Sequence, residues 1–228
     1  MAPVVSLRVR DVVFCHWPVD TDQVRRRLPN GLEPATYDDS AWVSVVALAV
    51  DGVRPFGVPV GGRSFAQLNL RTYTSGGREE GVYFLALATG DPLSAVPGRY
   101  LFGLPYAHAD LSHTAGDGDV TVRCRADDRT LFSGRFECGG TPYRAEEGSL
   151  DAFLVERYRY VADTRFGRLV EGEIDHHPWE LLPAEAVGEV DADGLFRREG
   201  LSPPGTDPRC ACARSLRIRV ERPQSLSR

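Results

Sequence analysis

The sequence contains no lysine; every basic side chain other than histidine is arginine. Arginine stays protonated, offers a planar fork of donors and forms no Schiff base with a carbonyl compound. Its sole use excludes iminium catalysis and pyridoxal phosphate attachment. Also missing are a basic block, a basic amphipathic helix and any apolar run of transmembrane length. With 27 basic against 32 acidic side chains the net charge is −5, which argues against nucleic-acid and anionic-membrane partners. No basic region followed by an apolar run marks the N-terminus, so a cytoplasmic location is expected. The five cysteines have no disulfide-framework spacing, and Cys210-Ala-Cys212 lacks the second pair a zinc site needs. No residues have metal-ligand spacing, no glycine-rich loop precedes a helix, and there is no Gly-x-Ser-x-Gly elbow. Neither a metal nor a cofactor is expected.

What is present suits a core-forming chain. The 228 residues are 42% hydrophobic, and with no repeat and no long linker they are expected to form one domain spanning 1–228. Strands are expected over Ser6–His16, Ala41–Val50, Ser64–Thr74, Gly81–Thr89, Val120–Ala126, Thr130–Cys138, Arg165–Ile174 and Arg214–Val220. Leu181–Val190 has no clear pattern. Short helices are expected after Asp20, from Asp91-Pro92 to about Phe102, and after Ser149 with Phe153, Leu154 and Tyr158 inward. The fold class is mainly β with a few short α-helices, an antiparallel sheet closed or folded on itself.

Two stretches carry candidate chemistry. In Ser64–Thr74, Phe65, Gln67, Asn69, Arg71 and Tyr73 share one strand face, and Ala66, Leu68 and Leu70 share the other. An amide pair, a guanidinium and a phenol in one row suit polar recognition inside a cavity, or an exposed strand face. In Gly98–Asp110, Gly103 and Pro105 mark a junction, after which Tyr106, His108 and Asp110 alternate with small apolar residues. This row too could line a pocket or face water.

These stretches resemble known motifs. Gly98-Arg99 to Gly103-Leu-Pro105-Tyr106-Ala107 resembles the Gly-Arg-(Glu)-x-x-Gly-x-Pro-Lys-Lys signature of acetoacetate decarboxylases, and Phe65-Ala66-Gln67 resembles their Tyr-x-Glu strand. The whole chain, from about residue 10 to 220, is similar to the DUF2071 or YqjF-like group of the same superfamily. The similarity is carried by His16-Trp17-Pro18, Leu28–Leu32, Asn69–Tyr73, Gly81–Phe84, Gly103–Tyr106 and Pro178-Trp179. It implies a double-layered, cone-like antiparallel β-barrel with a closed central cavity. In the decarboxylases one lysine ammonium depresses the pKa of its neighbour and frees an amine nucleophile. Tyr106 and Ala107 stand at the positions of that pair, and Gln67 replaces the acid. The resemblance therefore implies the fold and the cavity without the decarboxylase mechanism.

Gln67, Asn69, Arg71, Tyr73, Tyr106 and His108 are the expected cavity lining. Arg71 would fork to an anionic oxygen, Tyr106 would donate to a carbonyl, and His108 would move a proton, with Asp110 about 7 Å along the strand to polarise it. The alternative for His108 is a satisfied core histidine. Arg99 is placed among the substrate-binding candidates, with backbone carbonyls at the helix end as its alternative partners. Trp17 and Trp179 read as core anchors. The expected function is a cofactor-independent small-molecule enzyme of lyase, hydratase, isomerase or cyclase type, acting on a carbonyl or polyketide-like compound. The alternatives are a non-catalytic ligand-binding or sensor protein using the same cavity, and a structural barrel with a dry core. The expected partner is a small molecule; a homo-oligomer is left open.

Overall fold

The computed structural model describes residues 3–59, 64–76, 80–91, 102–163 and 168–226. Its strands are β1 (Val5–Val19), β2 (Glu33–Pro34), β3 (Thr36–Tyr37), β4 (Ser40–Pro55), β5 (Phe65–Ser75), β6 (Gly81–Thr89), β7 (Tyr106–His108), β8 (Asp110–Gly116), β9 (Asp119–Ala126), β10 (Arg129–Cys138), β11 (Arg159–Asp163), β12 (Leu169–Asp175), β13 (Leu181–Ala186), β14 (Arg209–Val220) and β15 (Gln224–Ser225). Three short helices accompany them: α1 (Thr21–Arg25), α2 (Leu150–Val155) and α3 (Asp193–Arg198). Asp20 and Ser149 cap α1 and α2 by accepting hydrogen bonds from the backbone N–H groups of Gln23 and Ala152. The helix expected from Asp91 to about Phe102 falls almost wholly outside the described residues. α2 stops at Val155, so Tyr158 lies beyond it and is exposed rather than inward. No described helix is long and apolar enough to cross a membrane.

Seven strands close into a ring. In order they are β1, β4, β5, β6, β11, β12 and β14, and β14 returns to β1. All of these pairings are antiparallel except β6 with β11. A second antiparallel layer, β8-β9-β10-β13, joins the ring where β13 pairs with β14. The ring strands are thus covered on both faces, which explains the nearly unbroken apolar run Ala41–Val50. On β4, Val43, Val45 and Ala47 enter the core between the layers, while Val46, Leu48 and Val50 enter the core inside the ring.

The alternation of β1 changes phase once. Val5 and Val9 point into the ring, and so do Val12 and Phe14, whereas Val13, Cys15 and Trp17 point outward. The switch sits at Asp11, whose φ of 51° is left-handed and whose neighbourhood shows a register shift against β4. An extra residue there bends the strand and lets a 15-residue span follow the ring.

Cys138 and Cys212 form a disulfide, with Cα atoms 5.9 Å apart and a sequence separation of 74. Cys138 lies opposite Ala184 and Cys212 opposite Leu182, so the bond clamps the two layers where β13 passes from one to the other. Cys15, Cys124 and Cys210 remain thiols. Unfolded, unreduced protein is therefore expected to titrate three thiols and reduced protein five. Replacing Cys138 and Cys212 together by alanine should cost about 2–4 kcal/mol of stability, read by denaturant unfolding. Five thiols without reductant would contradict the clamp.

Candidate active site

The interior of the ring holds a cavity of about 150 Å³. Its wall is mostly apolar, with Leu7, Val9, Phe14, Leu48, Phe84 and Ile218 among its members. The polar lining consists of Gln67, Asn69, Arg71, Tyr106, Arg157, Tyr160 and His176, together with the indole-bearing Trp179.

β5 supplies three of these groups by alternation. Leu68 and Leu70 fill the core between the layers, which turns Gln67, Asn69 and Arg71 into the ring. Arg71 donates through one Nη to the Leu154 carbonyl at 2.8 Å, and its guanidinium lies 6.0 Å from the Phe14 ring centroid and 5.8 Å from that of Tyr73. Its Nε is buried without a partner, and among the described residues no carboxylate lines the cavity. A desolvated cation without a counter-ion draws anionic oxygen.

Tyr106 enters from β7, which runs parallel to β6 with Tyr106 opposite Leu87. The turn before it needs Gly103, whose φ is 68°. The Tyr106 hydroxyl donates to Gln67 Oε1 at 2.8 Å. Burial pushes its phenol well above the ordinary tyrosine value, so near neutrality it is a donor and not a base. Tyr160, on β11, also lines the cavity; burial raises its pKa too, and its hydroxyl has no partner.

Behind this lining runs a buried polar chain. Tyr73 donates to the Leu154 carbonyl at 2.8 Å, and its hydroxyl is 2.6 Å from Ser44 Oγ, itself 2.6 Å from His16 Nδ1. With Tyr73 donating onward, Ser44 donates to Tyr73 and His16 Nδ1–H donates to Ser44. The same carbonyl thus holds both Tyr73 and Arg71. Burial first, then the positive charges of Arg71 and Arg209, lower the His16 pKa well below the ordinary imidazole value.

The placement of the expected residues is mixed. Gln67, Asn69, Arg71 and Tyr106 meet at the cavity. Tyr73 shares their strand face but lies outside the lining, committed to Ser44 and Leu154. His108 is a correction. It is exposed and outside the lining, because β7 ends there and the chain leaves the ring at Ala109. Asp110 is also exposed and opens β8 in the second layer, opposite Arg125, so it cannot join a cavity row with His108. Arg99 lies outside the described residues. Tyr160, Arg157 and His176 were missed. Arg157 stacks on Phe153 at 4.3 Å and pairs with Glu80 at 2.8 Å, while His176 stacks on Tyr158 at 4.6 Å. The one signal for Tyr160 is Gly172, its cross-strand partner, which cannot be recognised until β11 and β12 are paired.

The ring, its covering layer and its cavity define an acetoacetate decarboxylase-like fold. Solved structures agree. The enduracididine biosynthesis enzyme MppR, complexed with the condensation product of pyruvate and imidazole 4-carboxaldehyde, superposes with a TM-score of 0.73 at 16% identity, over 100% of this chain and 91% of that one. An acetoacetate decarboxylase-like enzyme from Sphingomonas wittichii RW1 gives 0.69 at 14% identity, over 100% and 94%. Acetoacetate decarboxylase from Legionella pneumophila gives 0.68 at 12% identity, over 97% and 87%. The chain belongs to the DUF2071 family, described as an uncharacterized conserved protein, whose model matches residues 6–217. It is 37% identical over 202 residues to the uncharacterized protein YqjF of Bacillus subtilis (strain 168), covering 87% of this chain and 82% of that protein.

The lowered His16 pKa has a consequence for stability. The unfolded chain takes up a proton near pH 6.5, and the folded chain resists it until lower pH. The His16 contribution is therefore complete above about pH 6.5 and is lost as pH falls below it. His113, also lowered chiefly by burial, acts in the same sense. The unfolding free energy of His16→Gln should fall less steeply than wild type between about pH 6.5 and 5, measured by urea titration at each pH. Parallel curves would remove His16 from the acid response.

Proposed function

We propose that this protein is a small-molecule enzyme acting on a carbonyl compound by hydrogen-bond and acid–base catalysis in the ring cavity, without a Schiff base and without a cofactor. One observation carries the reading: Arg71 lines a mostly apolar cavity and, among the described residues, no carboxylate lines it with Arg71. Arg71 would bind the anionic oxygen of the substrate. Tyr106 would turn its one hydroxyl proton from Gln67 Oε1 to the substrate oxygen on which charge develops. The chain has no lysine, so decarboxylation through an iminium is excluded. The similarity in fold to MppR and the decarboxylases, which are enzymes acting on small compounds, supports an enzyme of lyase, hydratase, isomerase or cyclase type. The cavity of about 150 Å³ is smaller than the several hundred Å³ of a drug-sized site, which favours a short substrate over a polyketide-sized one. In this reading 1–228 acts as one domain in the cytoplasm; the Cys138–Cys212 bond is the feature that runs against a reducing compartment.

The second reading is a non-catalytic ligand-binding protein. It is favoured by the thin acid–base equipment: among the described residues no carboxylate lines the cavity, and His176 is the one imidazole that does. The two readings separate on turnover. The full chain is incubated with a panel of short carbonyl acids and followed by proton NMR. Conversion is expected, and Tyr106→Phe should lower kcat by about 10²–10³-fold with KM little changed. Full turnover in Tyr106→Phe would remove Tyr106 from the mechanism. Binding without any conversion by wild type would favour the second reading.

A further inference from the structure

We propose that Cys15 and Cys210 form an oxidation site, a dithiol that closes to a second disulfide between β1 and β14. The two residues lie directly opposite each other in the antiparallel β1–β14 pair, and their sulfur atoms are 3.7 Å apart. Residues facing each other across an antiparallel ladder have Cα atoms about 4.5–5.5 Å apart, inside the range of about 4.4–6.8 Å that a disulfide spans. The bond therefore needs a small side-chain adjustment and no change of register. Both residues are thiols in this structure. The inference is independent of what the ring cavity binds.

Strand alternation explains why these thiols meet. Cys15, Cys124 and Cys212 are buried in the core between the layers, and Cys138 and Cys210 pack against the same core. Cys210 and Cys212 share a face of β14 because one residue separates them. They do not bond to each other. Same-face neighbours on a strand are about 7 Å apart with parallel Cβ directions, whereas a disulfide needs Cβ atoms about 4 Å apart. Each instead meets a cysteine from another strand, Cys212 the Cys138 of β10 and Cys210 the Cys15 of β1. Cys124 lies opposite Leu111 on one side and Phe132 on the other, so it has no cysteine across from it.

The two thiols differ in access, which orders the reaction. Cys15 is 0% exposed, and burial raises its pKa well above the ordinary thiol value, so it stays protonated. Cys210 is half-buried and is the sulfur that an outside reagent reaches. With a low-molecular-weight disulfide as oxidant, the Cys210 thiolate attacks one sulfur and releases the first small thiol, leaving a mixed disulfide on Cys210. Cys15 then attacks Cys210 Sγ and releases the second, its proton passing to the departing thiolate. The S–S bond of the oxidant breaks, the Cys15–Cys210 bond forms, and the protons of both cysteines leave on the two small thiols. The next pair along the ladder is His16 with Arg209, whose guanidinium donates to Asp151 of α2 at 2.8 and 3.0 Å. Oxidation thus pins β1 to β14 beside His16 and its polar chain.

The test incubates the full chain with oxidised glutathione, then unfolds it without reductant, counts thiols and maps the linked peptides by mass spectrometry. The count is expected to fall from three to one, with a loss of two hydrogen atoms and a Cys15–Cys210 cross-link beside Cys138–Cys212. The oxidised protein should unfold at higher urea than the untreated protein, because the bond constrains residues 195 positions apart in sequence. Cys15→Ala should stop at the mixed disulfide and retain one glutathione on Cys210. Cys210→Ala should leave Cys15 and Cys124 unmodified. A stable glutathione adduct on Cys210 of the wild type would overturn the pairing, as would a cross-link from Cys15 or Cys210 to any of the other three cysteines. Three thiols surviving saturating oxidised glutathione would overturn the site itself. The wild-type map decides the proposal even where a variant fails to fold.

Discussion

The Leu154 carbonyl is the point on which the site depends. It accepts one hydrogen bond from Arg71 and another from Tyr73, both at 2.8 Å. A guanidinium inside an apolar ring must find its hydrogen bonds within the protein, and the end of α2 supplies one. That bond fixes one corner of Arg71, a residue of the cavity wall, and leaves its Nε buried without a partner. The Tyr73 bond extends the same anchor through Ser44 to His16, so a chain of polar side chains ties β5, β4 and β1 to α2. His16 has to stay neutral for this to work, since an imidazolium beside Arg71 would add a second buried charge of the same sign.

The geometry also clarifies what replaces the lost amine. By resemblance, Tyr106 and Ala107 occupy the positions of the decarboxylase lysine pair, and Gln67 that of an acid. The structure brings Tyr106 and Gln67 together as donor and acceptor, 2.8 Å apart. A phenol and an amide form a neutral pair, which an apolar wall holds without the desolvation cost of an ammonium–carboxylate pair. Among the described lining residues Arg71 then remains the charge without a salt-bridge partner, whereas Arg157 pairs with Glu80.

The sequence was legible where periodicity is local. On β5 the alternating leucines put Gln67, Asn69 and Arg71 on one shared face, while whether that face met a cavity or water stayed open until the ring was closed. The fold class followed from the number of short alternating runs, and the caps at Asp20 and Ser149 followed from residue type. Alternation failed at His108 and Asp110, because it assumes a strand that continues and this one ends at His108 to change layers. It also missed the phase switch at Asp11, where one left-handed residue moves the inward positions from odd to even numbers. Tyr160 and the Cys138–Cys212 bond were illegible for a third reason. Each is defined by a partner on another strand, Gly172 in one case and a cysteine 74 residues away in the other.

A ring this well covered could have been filled. Leucine or phenylalanine at positions 69, 71 and 160 would pack against the existing Phe14, Leu48 and Phe84 and leave no polar atom stranded. Instead three polar atoms are buried without partners, each at a cost of about 1–3 kcal/mol. Together they approach the whole net stability of an ordinary domain, about 5–15 kcal/mol. A chain shaped for stability alone has no reason to bear that cost in one place. The residues that bear these atoms also line the cavity, so the cost is concentrated in the wall of that space.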